Sequence, residues 1–488
     1  MPYTKLREWA FQARSAELRN YGAEILTRNP ERVAAAEVLD LMAYLVECDF
    51  IAAEAKLATI KYKFDGSAEQ EFIEEAAALA QSHINFAFGR LKPLKTSAET
   101  FLANLAAMPN LEQGAPLDIW RLLAQKAVIL DEFDEMERIF SEISGYKKEA
   151  QSTNFFYLTN SIKALYLLTQ GEYIQASEIA MTNIEIAKQN GYQGLMAPVD
   201  SYYVLARAKL AGARNQEAMA LFEQVKALAE KSSHWPWYFI ADGFLSRELA
   251  QQNKMAEALE IVRKQREKLS AFSFRHELTF IPDINELYVR FRLKDTERMQ
   301  VLLDRAPDLV LVRQIRAMGQ EWGGRDMLDW ITNLPEKTAR EKVYKLVAYA
   351  DYYKDKESIA IDYMVQALEI TERTGQIEFI LRQHDLLEII LKAVAKRPSV
   401  MLELLATQIA DRIQKDSDLN KGGLPTPLTS RELEVVRHLA TGKPISQIGS
   451  ALHVSMNTMK THLRNIYRKL EVDGRERAVE KARELFLV

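Results

Sequence analysis

The 488-residue chain has very little cysteine: it contains one, Cys48. A single cysteine forms no intramolecular disulfide, and no Cys/His cluster with metal-ligand spacing occurs, so we expect neither a disulfide framework nor a metal site. No run approaches the roughly 18 apolar residues of a membrane helix. The first residues, MPYTKLREWAFQ, carry charges where a signal peptide needs an apolar core. These absences exclude the secreted disulfide-rich and membrane-spanning classes and predict a cytoplasmic protein without a membrane partner.

Motifs for enzymatic chemistry are also missing. No G-x-x-x-x-G-K-[S/T] phosphate loop occurs, because Gly442-Lys443 lacks both the earlier glycine and a following Ser or Thr. No nucleophile and base constellation can be located in the sequence. We therefore expect no enzyme activity and no cofactor. An enzyme is the least favoured class, and ATP turnover by the purified chain would revive it.

The net charge of -4 is unevenly distributed. Residues 428–488 carry 11 Lys and Arg against 7 Asp and Glu, a net charge of +4, whereas the remainder carries 53 against 61, a net charge of -8. An acidic body with a basic end confines a polyanion such as DNA to that end.

Residues 1–414 contain helical apolar periodicity and no alternating β-type runs, which predicts an all-α region. Turn-plus-helix signatures recur along it, and the sixth positions of the middle five are separated by 40, 42, 40 and 41 residues. This period is typical of a helical-hairpin solenoid and resembles tetratricopeptide (TPR) repeats, although theirs is usually about 34 residues. The signatures are CDFIAA (48–53), DEFDEM (131–136), GEYIQA (171–176), ARNQEA (213–218), NKMAEA (253–258), KDTERM (294–299) and DKESIA (355–360).

Three regions follow from these patterns: a TPR-like sensor or interaction domain at 1–414, a linker at 415–427 and a DNA-binding domain at 428–488. The linker contains two glycines and two prolines within twelve residues. Solenoids present a concave surface, so we expect the first region to bind an unknown small-molecule or protein effector. Aromatic clusters near 155–157, 202–203 and 235–239 are expected to be mostly inter-helix core, with stacking on a ligand as the alternative.

The last region contains the signals of a helix-turn-helix. Thr429 and Glu432 form a capping box that predicts the start of a helix, and Gly442 supplies its left-handed end. Pro444 opens a second short helix, and Ser455 caps the third.

The third helix has two faces. Stepping 100° per residue, Met459, Leu463, Ile466 and Leu470 fall on one inward stripe. The interval from Ser455 to Leu470 holds four cationic side chains and no acidic one. The outward side chains predicted to read bases in the major groove are Asn457, Lys460, Thr461, Arg464 and Arg468. Those on the flank, aimed at the phosphate backbone, are Thr458, Asn465 and Lys469.

This segment resembles the LuxR-type DNA-binding domain. The resemblance rests on four features that occur in the order and spacing of that family, namely LTSRE, Gly442, SMNTMKTHLRNIYRKL and GRERAV. The resemblance implies a four-helix fold in which Lys460, Thr461 and Arg464 read bases. It also implies that the fourth helix contributes a dimer contact, which would fall on Ala478, Val479 and Ala482. The sequence departs from the family pattern at Ser430, Gln447, Gly449 and Glu471, none of which is a base-reading position.

Large regulators of the MalT type also resemble the chain, since they join a superhelix of about 40-residue repeats to a LuxR-type domain. They carry an NTPase domain whose phosphate loop is not found here. The leading hypothesis is a sequence-specific regulator that binds double-stranded DNA as a homodimer under control of the solenoid. The alternatives are an interaction scaffold tethered to DNA, or the partner of a separate ATPase regulator.

Overall fold

The computed structural model describes most of the chain as helices. The described residues are 3–106, 115–145, 152–272, 278–293, 295–307, 309, 311–312, 315, 327–383, 386–407, 409–410, 430–440, 443–452, 454–470 and 472–484. No strand occurs among them. The all-α prediction is confirmed for this part of the chain.

The helices before the C-terminal region are α1 to α21. They are α1 (Tyr3–Phe11), α2 (Ser15–Arg28), α3 (Val33–Val46), α4 (Phe50–Phe64), α5 (Gln70–Ala87), α6 (Leu91–Ala106), α7 (Ala115–Ile129), α8 (Phe133–Ser144), α9 (Thr153–Gln170), α10 (Tyr173–Asn190), α11 (Val199–Ala211), α12 (Asn215–Lys231), α13 (Trp235–Gln251), α14 (Met255–Ser270), α15 (Phe280–Arg292), α16 (Thr296–Leu303), α17 (Met327–Thr332), α18 (Ala339–Tyr352), α19 (Glu357–Thr374), α20 (Ile377–Leu381) and α21 (Leu387–Lys396). The C-terminal helices are α22 (Ser430–Ala440), α23 (Ile445–Ala451), α24 (Met456–Lys469) and α25 (Arg475–Glu484).

The chain forms two compact units. Unit 1 comprises Met1–Phe244, Glu267–Ile281 and Gln320–Leu405, and unit 2 comprises Leu245–Arg266, Pro282–Gly319 and Ala406–Val488. The predicted boundaries of the linker fall between residues 411 and 429, which lie outside the described residues. The division into a domain at 1–414, a linker and a C-terminal domain therefore stays a prediction.

The repeat signatures mark the turns between paired helices. Each of the seven signatures starts two residues before the second helix of a pair and ends inside that helix. The pairs run from α3–α4 to α18–α19. A small or flexible side chain at the sixth position of each signature lets the two helices of a pair approach closely. The residues at this position are all buried, and they are Ala53, Met136, Ala176, Ala218, Ala258, Met299 and Ala360. The helical-hairpin repeat predicted from the period is confirmed.

The first residue of five signatures adopts the left-handed conformation. These residues are Cys48 (φ 60°), Asp131 (53°), Gly171 (81°), Ala213 (58°) and Asn253 (62°). One such residue ends the first helix and reverses the chain, which is the usual helix C-terminal geometry. Glycine adopts it without strain, whereas a residue with a Cβ does so at a cost of about 1–2 kcal/mol.

We expect Gly171→Ala to lower the urea midpoint of unfolding. The residue has a φ of 81°, and a Cβ built on it would lie 2.8 Å from the backbone nitrogen of Arg340. The expected loss is at least about 1–2 kcal/mol, since the conformational cost and the close contact act together. Ala213→Gly, at the same turn position one repeat later, is the matched control and should not lower the midpoint. Equal losses in both variants would contradict this explanation.

Aromatic side chains fill the spaces between paired helices in unit 1. Tyr157, Tyr203, Trp237 and Phe239 are buried, and the Tyr203 ring centroid lies 4.6 Å from that of Trp237. Phe156, in contrast, is exposed. Most of the aromatic clusters seen in the sequence are therefore inter-helix core.

Within the described part of the chain, no helix is both long and apolar enough to cross a membrane.

Candidate nucleic-acid interface

Helices α22 to α25 share one apolar core. The core residues come from all four helices and from Leu452 and Leu470 at helix ends, and they are Val435, Val436, Leu439, Ile448, Leu452, Met459, Leu463, Ile466, Leu470, Ala478 and Ala482. The stripe predicted on the third helix, Met459, Leu463, Ile466 and Leu470, is buried in this core. Because the stripe fixes the rotation of α24, its other side faces solvent.

The turn between α23 and α24 is held by two local features. Ser455 caps α24, since its hydroxyl oxygen accepts a hydrogen bond from the backbone N–H of Thr458 at 3.2 Å. Gly449 in α23 lies close to the turn, and a Cβ added there would be 3.2 Å from the carbonyl oxygen of Val454. This close approach gives a physical reason for the glycine at position 449, where the sequence departs from the LuxR pattern.

The solvent side of α24 presents the predicted cationic row. Lys460, Thr461, Arg464 and Arg468 are exposed, and so is Thr458, while Asn465 is half-buried. The side chain of Asn457 lies outside the described residues. No acidic residue occurs between Ser455 and Leu470, so this face is a row of hydrogen-bond donors with positive charge. A helix of this kind fits the major groove, which is about 12 Å wide.

Lys469 was predicted to contact the phosphate backbone, but its side chain is largely buried and forms an ion pair within the domain. Its Nζ lies 2.7 Å from Oε2 of Glu432, and the two side chains are only 10% and 5% exposed. The pair joins α22 to α24 inside the domain. The capping box expected for Glu432 involves Thr429, which lies outside the described residues. The ion pair gives Lys469 a structural role, and the phosphate contact predicted for it gains no support from this geometry.

We expect Lys469→Ala to destabilise the C-terminal domain rather than merely to weaken its hold on DNA. Removing one partner of a largely buried ion pair leaves the other charge unpaired, at a cost of roughly 3 kcal/mol. The double variant Lys469→Met, Glu432→Leu should recover most of this loss. Thermal unfolding of the variants, followed by circular dichroism, measures the effect. An unchanged transition in Lys469→Ala would contradict the structural role.

Two of the three residues expected to form a dimer contact on α25 belong to the core of the domain itself. Ala478 and Ala482 lie one helical turn apart and are fully buried in the domain's own core, while Val479 is half-buried against it. Small side chains at this spacing let α25 approach the other helices closely. Ala478 and Ala482 are therefore not accessible to a second copy of the chain in this conformation.

Several side chains that the sequence analysis passed over contribute to the domain. Nη2 of Arg475 donates to the carbonyl oxygen of Leu439 at 2.8 Å, and Arg431 donates to that of Leu452, so both arginines tie helix ends together. Met456 is an exposed apolar residue at the N-terminal end of α24. Met456 lies one turn before Lys460, and recognition helices contact bases near their N-termini. This position could have identified Met456 from the sequence as a candidate DNA contact.

Unit 1 contains a buried polar network that sequence reasoning also missed. Nε of Arg121 on α7 donates to Oδ2 of Asp200 on α11 at 2.8 Å, and Ser161 on α9 donates to the same oxygen. Gln125 Nε2 donates to it at 2.9 Å and accepts at Oε1 from Trp237 Nε1 on α13 at 3.2 Å. Burial favours a raised pKa for Asp200, but the charge and hydrogen bonds of these partners hold the pKa below its ordinary value.

The network is internally satisfied and links the first helices of four successive repeats. Arg121 further donates to the carbonyl oxygens of Leu195 and Ala197, both at 3.2 Å. These bonds fix the segment before α11. Among the described residues, no group of His, Cys, Asp and Glu side chains could hold a metal ion.

Comparison with known proteins agrees with this geometry. The model of the luxR family of bacterial regulatory proteins matches residues 426–482. The HTH-type transcriptional regulator MalT of Vibrio campbellii is 28% identical over 195 residues, which is 34% of this chain and 21% of that protein. MalT of Yersinia pestis is 43% identical over 60 residues, 12% of this chain and 7% of that protein.

Other similarities cover different portions of the chain. The transcriptional regulatory protein LiaR of Bacillus subtilis is 24% identical over 197 residues, 40% of this chain and 82% of that protein. A solved Rap protein complexed with Competence and Sporulation Factor aligns with 76% of this chain and 98% of its own, at 13% identity and a TM-score of 0.44. The alignments span about a fifth of the length of the first MalT relatives. Residues 426–482 therefore match the luxR family of bacterial regulatory proteins, and this chain joins that segment to a region of helical-hairpin repeats.

Proposed function

We propose that this protein is a cytoplasmic, sequence-specific transcription regulator that inserts α24 into the major groove of double-stranded DNA. The observation that carries the proposal is the solvent face of α24, a cationic row without an acid, on a helix whose rotation is fixed by a buried stripe. Such a face binds phosphates through charge and base edges through directed hydrogen bonds.

The side chains on that face divide into two groups. Lys460, Thr461, Arg464 and Arg468 point away from the core and are assigned to base edges, together with Asn457 from the sequence prediction. Thr458 and Asn465 flank the row and are assigned to the phosphate backbone. The apolar side chain of Met456, at the start of the helix, suits a thymine methyl group. Lys469 is not included, because its ammonium pairs with Glu432.

The repeat region is assigned the control of DNA binding. Helical-hairpin repeats offer a long surface for a small-molecule or protein effector, and most of the acidic excess of the chain lies before the linker. An acidic body opposes binding to a polyanion, so we propose that the effector relieves this opposition and that the active form is a homodimer. No catalytic step is assigned to any residue.

Binding by the full chain and by the segment 425–488 to random duplex tests the proposal. We expect the segment to be helical by circular dichroism and to bind with an affinity that falls steeply with salt, since it displaces counterions. The full chain should bind more weakly than the segment at equal salt. Absence of duplex binding by both proteins would refute the assignment to DNA. Equal affinities would remove the inhibitory role of the repeat region.

A further inference from the structure

Helix α4 has an exposed apolar stripe opposite its buried one. Phe50, Ala53, Leu57, Ile60 and Phe64 face the core of unit 1. On the other side, Ile51, Ala55, Ala58 and Tyr62 are all exposed, and Ile51 and Tyr62 expose 72% and 88% of their surface. Large apolar side chains this exposed, aligned along one helix, are typical of an interaction site.

The spacing of the stripe is that of a helix that packs against another helix. The four positions are separated by four, three and four residues, which is the a/d pattern of a coiled coil. The two middle positions are alanines, so the backbone of a partner helix can approach closely at the centre. The outer positions are large, so their side chains can cover the ends of such a contact.

We propose that α4 is a self-association surface that pairs antiparallel with α4 of a second copy of this chain. The stripe is self-complementary in this direction, because its large-small-small-large order is unchanged when it is reversed. Ile51 then lies opposite Tyr62 of the partner subunit, and Ala55 lies opposite Ala58 of the partner subunit. A two-fold axis between the central alanines makes the contact isologous, as closed dimers require.

The charges beside the stripe select the antiparallel direction. In the heptad register, Glu54 and Lys61 occupy equivalent flanking positions, and antiparallel helices bring such positions together. Glu54 therefore faces the partner's Lys61, twice in the dimer. The carboxylate of Glu54 already contacts Arg90 but remains 42% exposed, and Lys61 is exposed. Parallel helices would place Glu54 opposite the partner's Thr59, which carries no charge. This complementarity favours a second copy as the occupant.

The proposal supplies a dimer contact outside the C-terminal domain, where Ala478 and Ala482 are buried. Two copies joined through α4 would bring two C-terminal domains into one assembly, and a pair of such domains suits a site made of two half-sites. The surface itself involves no DNA. Its failure is therefore distinguishable from failure of the proposed function.

The test is the molar mass of the full chain by analytical ultracentrifugation without DNA, over a dilution series up to its solubility limit. We expect a reversible dimer. Ala58→Glu, which places a charge at the centre of the contact, should raise the dimer Kd by about tenfold or more. Ala220→Glu, at an exposed alanine in α12, is the matched control and should leave the Kd unchanged. A monomer at every concentration, or the same Kd for Ala58→Glu and the unmodified chain, would overturn the proposal.

Two further measurements test the direction of pairing. Lys61→Glu should weaken the dimer, and adding Glu54→Lys to the same chain should restore it, because the exchanged charges again face each other. Chains with Ala55→Cys and chains with Ala58→Cys, mixed and treated with a short bis-maleimide, should crosslink to each other. The native Cys48 is buried. Crosslinks only between identical chains, or no recovery in the double charge variant, would overturn the antiparallel arrangement.

Discussion

Arg464→Ala is expected to weaken binding to the best duplex by roughly 1–3 kcal/mol, which is about 5- to 150-fold, and to weaken binding to random duplex much less. The side chain is exposed at the middle of α24, on the face opposite the buried stripe. From there the guanidinium can donate to O6 and N7 of one guanine simultaneously, which a shorter or apolar side chain cannot do. The loss should therefore appear in the ratio of specific to random affinity.

Arg477→Ala is the control for Arg464→Ala, because each substitution removes one positive charge. Arg477 is exposed on α25, away from α24 in sequence, and its Nη1 lies 3.0 Å from Oδ1 of Asp473. Titration of both variants against both duplexes at several salt concentrations separates base reading from general attraction. We expect Arg477→Ala to leave the affinity ratio unchanged. Equal losses on specific and random duplex for Arg464→Ala would move this residue from base reading to phosphate contact.

Asp200→Asn is expected to lower the free energy of unfolding of unit 1 by about 3–5 kcal/mol, the largest effect on stability that the structure indicates. Asp200 and Arg121 are both almost completely buried. The substitution leaves the buried guanidinium of Arg121 without its counter-charge. Hydrogen bonds from Ser161 and Gln125 to the carboxylate are weakened as well. Urea unfolding of the full chain, followed by tryptophan fluorescence, reports the loss, because Trp237 belongs to the same network.

A double variant separates the buried charge from the packing. Arg121→Met combined with Asp200→Leu removes both charges and should recover much of the stability lost in Asp200→Asn. The pKa of Asp200 is lowered in the folded protein, so its contribution is present above the unfolded-state pKa and is lost as pH falls through the folded value. The unmodified chain should therefore lose more stability on acidification than the double variant. A stability of Asp200→Asn equal to that of the unmodified chain would contradict the role of the pair.

The sequence predicted the helical hairpins because the constraint is local and repeated. A turn residue and a small or flexible sixth residue recur at about 40-residue intervals in the middle five signatures, and each falls where two helices meet. The inward stripe of α24 was predictable for the same reason, since the rotation of a helix follows from its apolar period. The side chain of Asn457 and the linker, in contrast, lie outside the part of the chain that the structure describes.

Long-range pairings were not predictable in the same way. On a helical projection Lys469 lies beside the outward face, and nothing in α24 itself indicates that Glu432 of α22 approaches it. The sequence contains one indication of the buried network. Arg121 and Ser161 are 40 residues apart and Ser161 and Asp200 are 39 residues apart, which is close to the repeat period. Polar residues that recur at the same position of successive repeats, among apolar neighbours, indicate that their side chains lie close together. Which side chains bond to one another follows only from the way the repeats stack.

The central claim is that α24 reads a DNA sequence, and selection from a pool of random duplexes by the full chain tests it most directly. Bound duplexes are amplified and sequenced over several rounds, with Arg464→Ala carried in parallel. We predict one enriched motif, bound about 10³-fold or more tightly than random duplex, as is typical of specific regulators. The Arg464→Ala pool should lose a guanine at a defined position of that motif. Retention of duplexes without any enriched motif would contradict the account and leave a scaffold that holds DNA by charge alone.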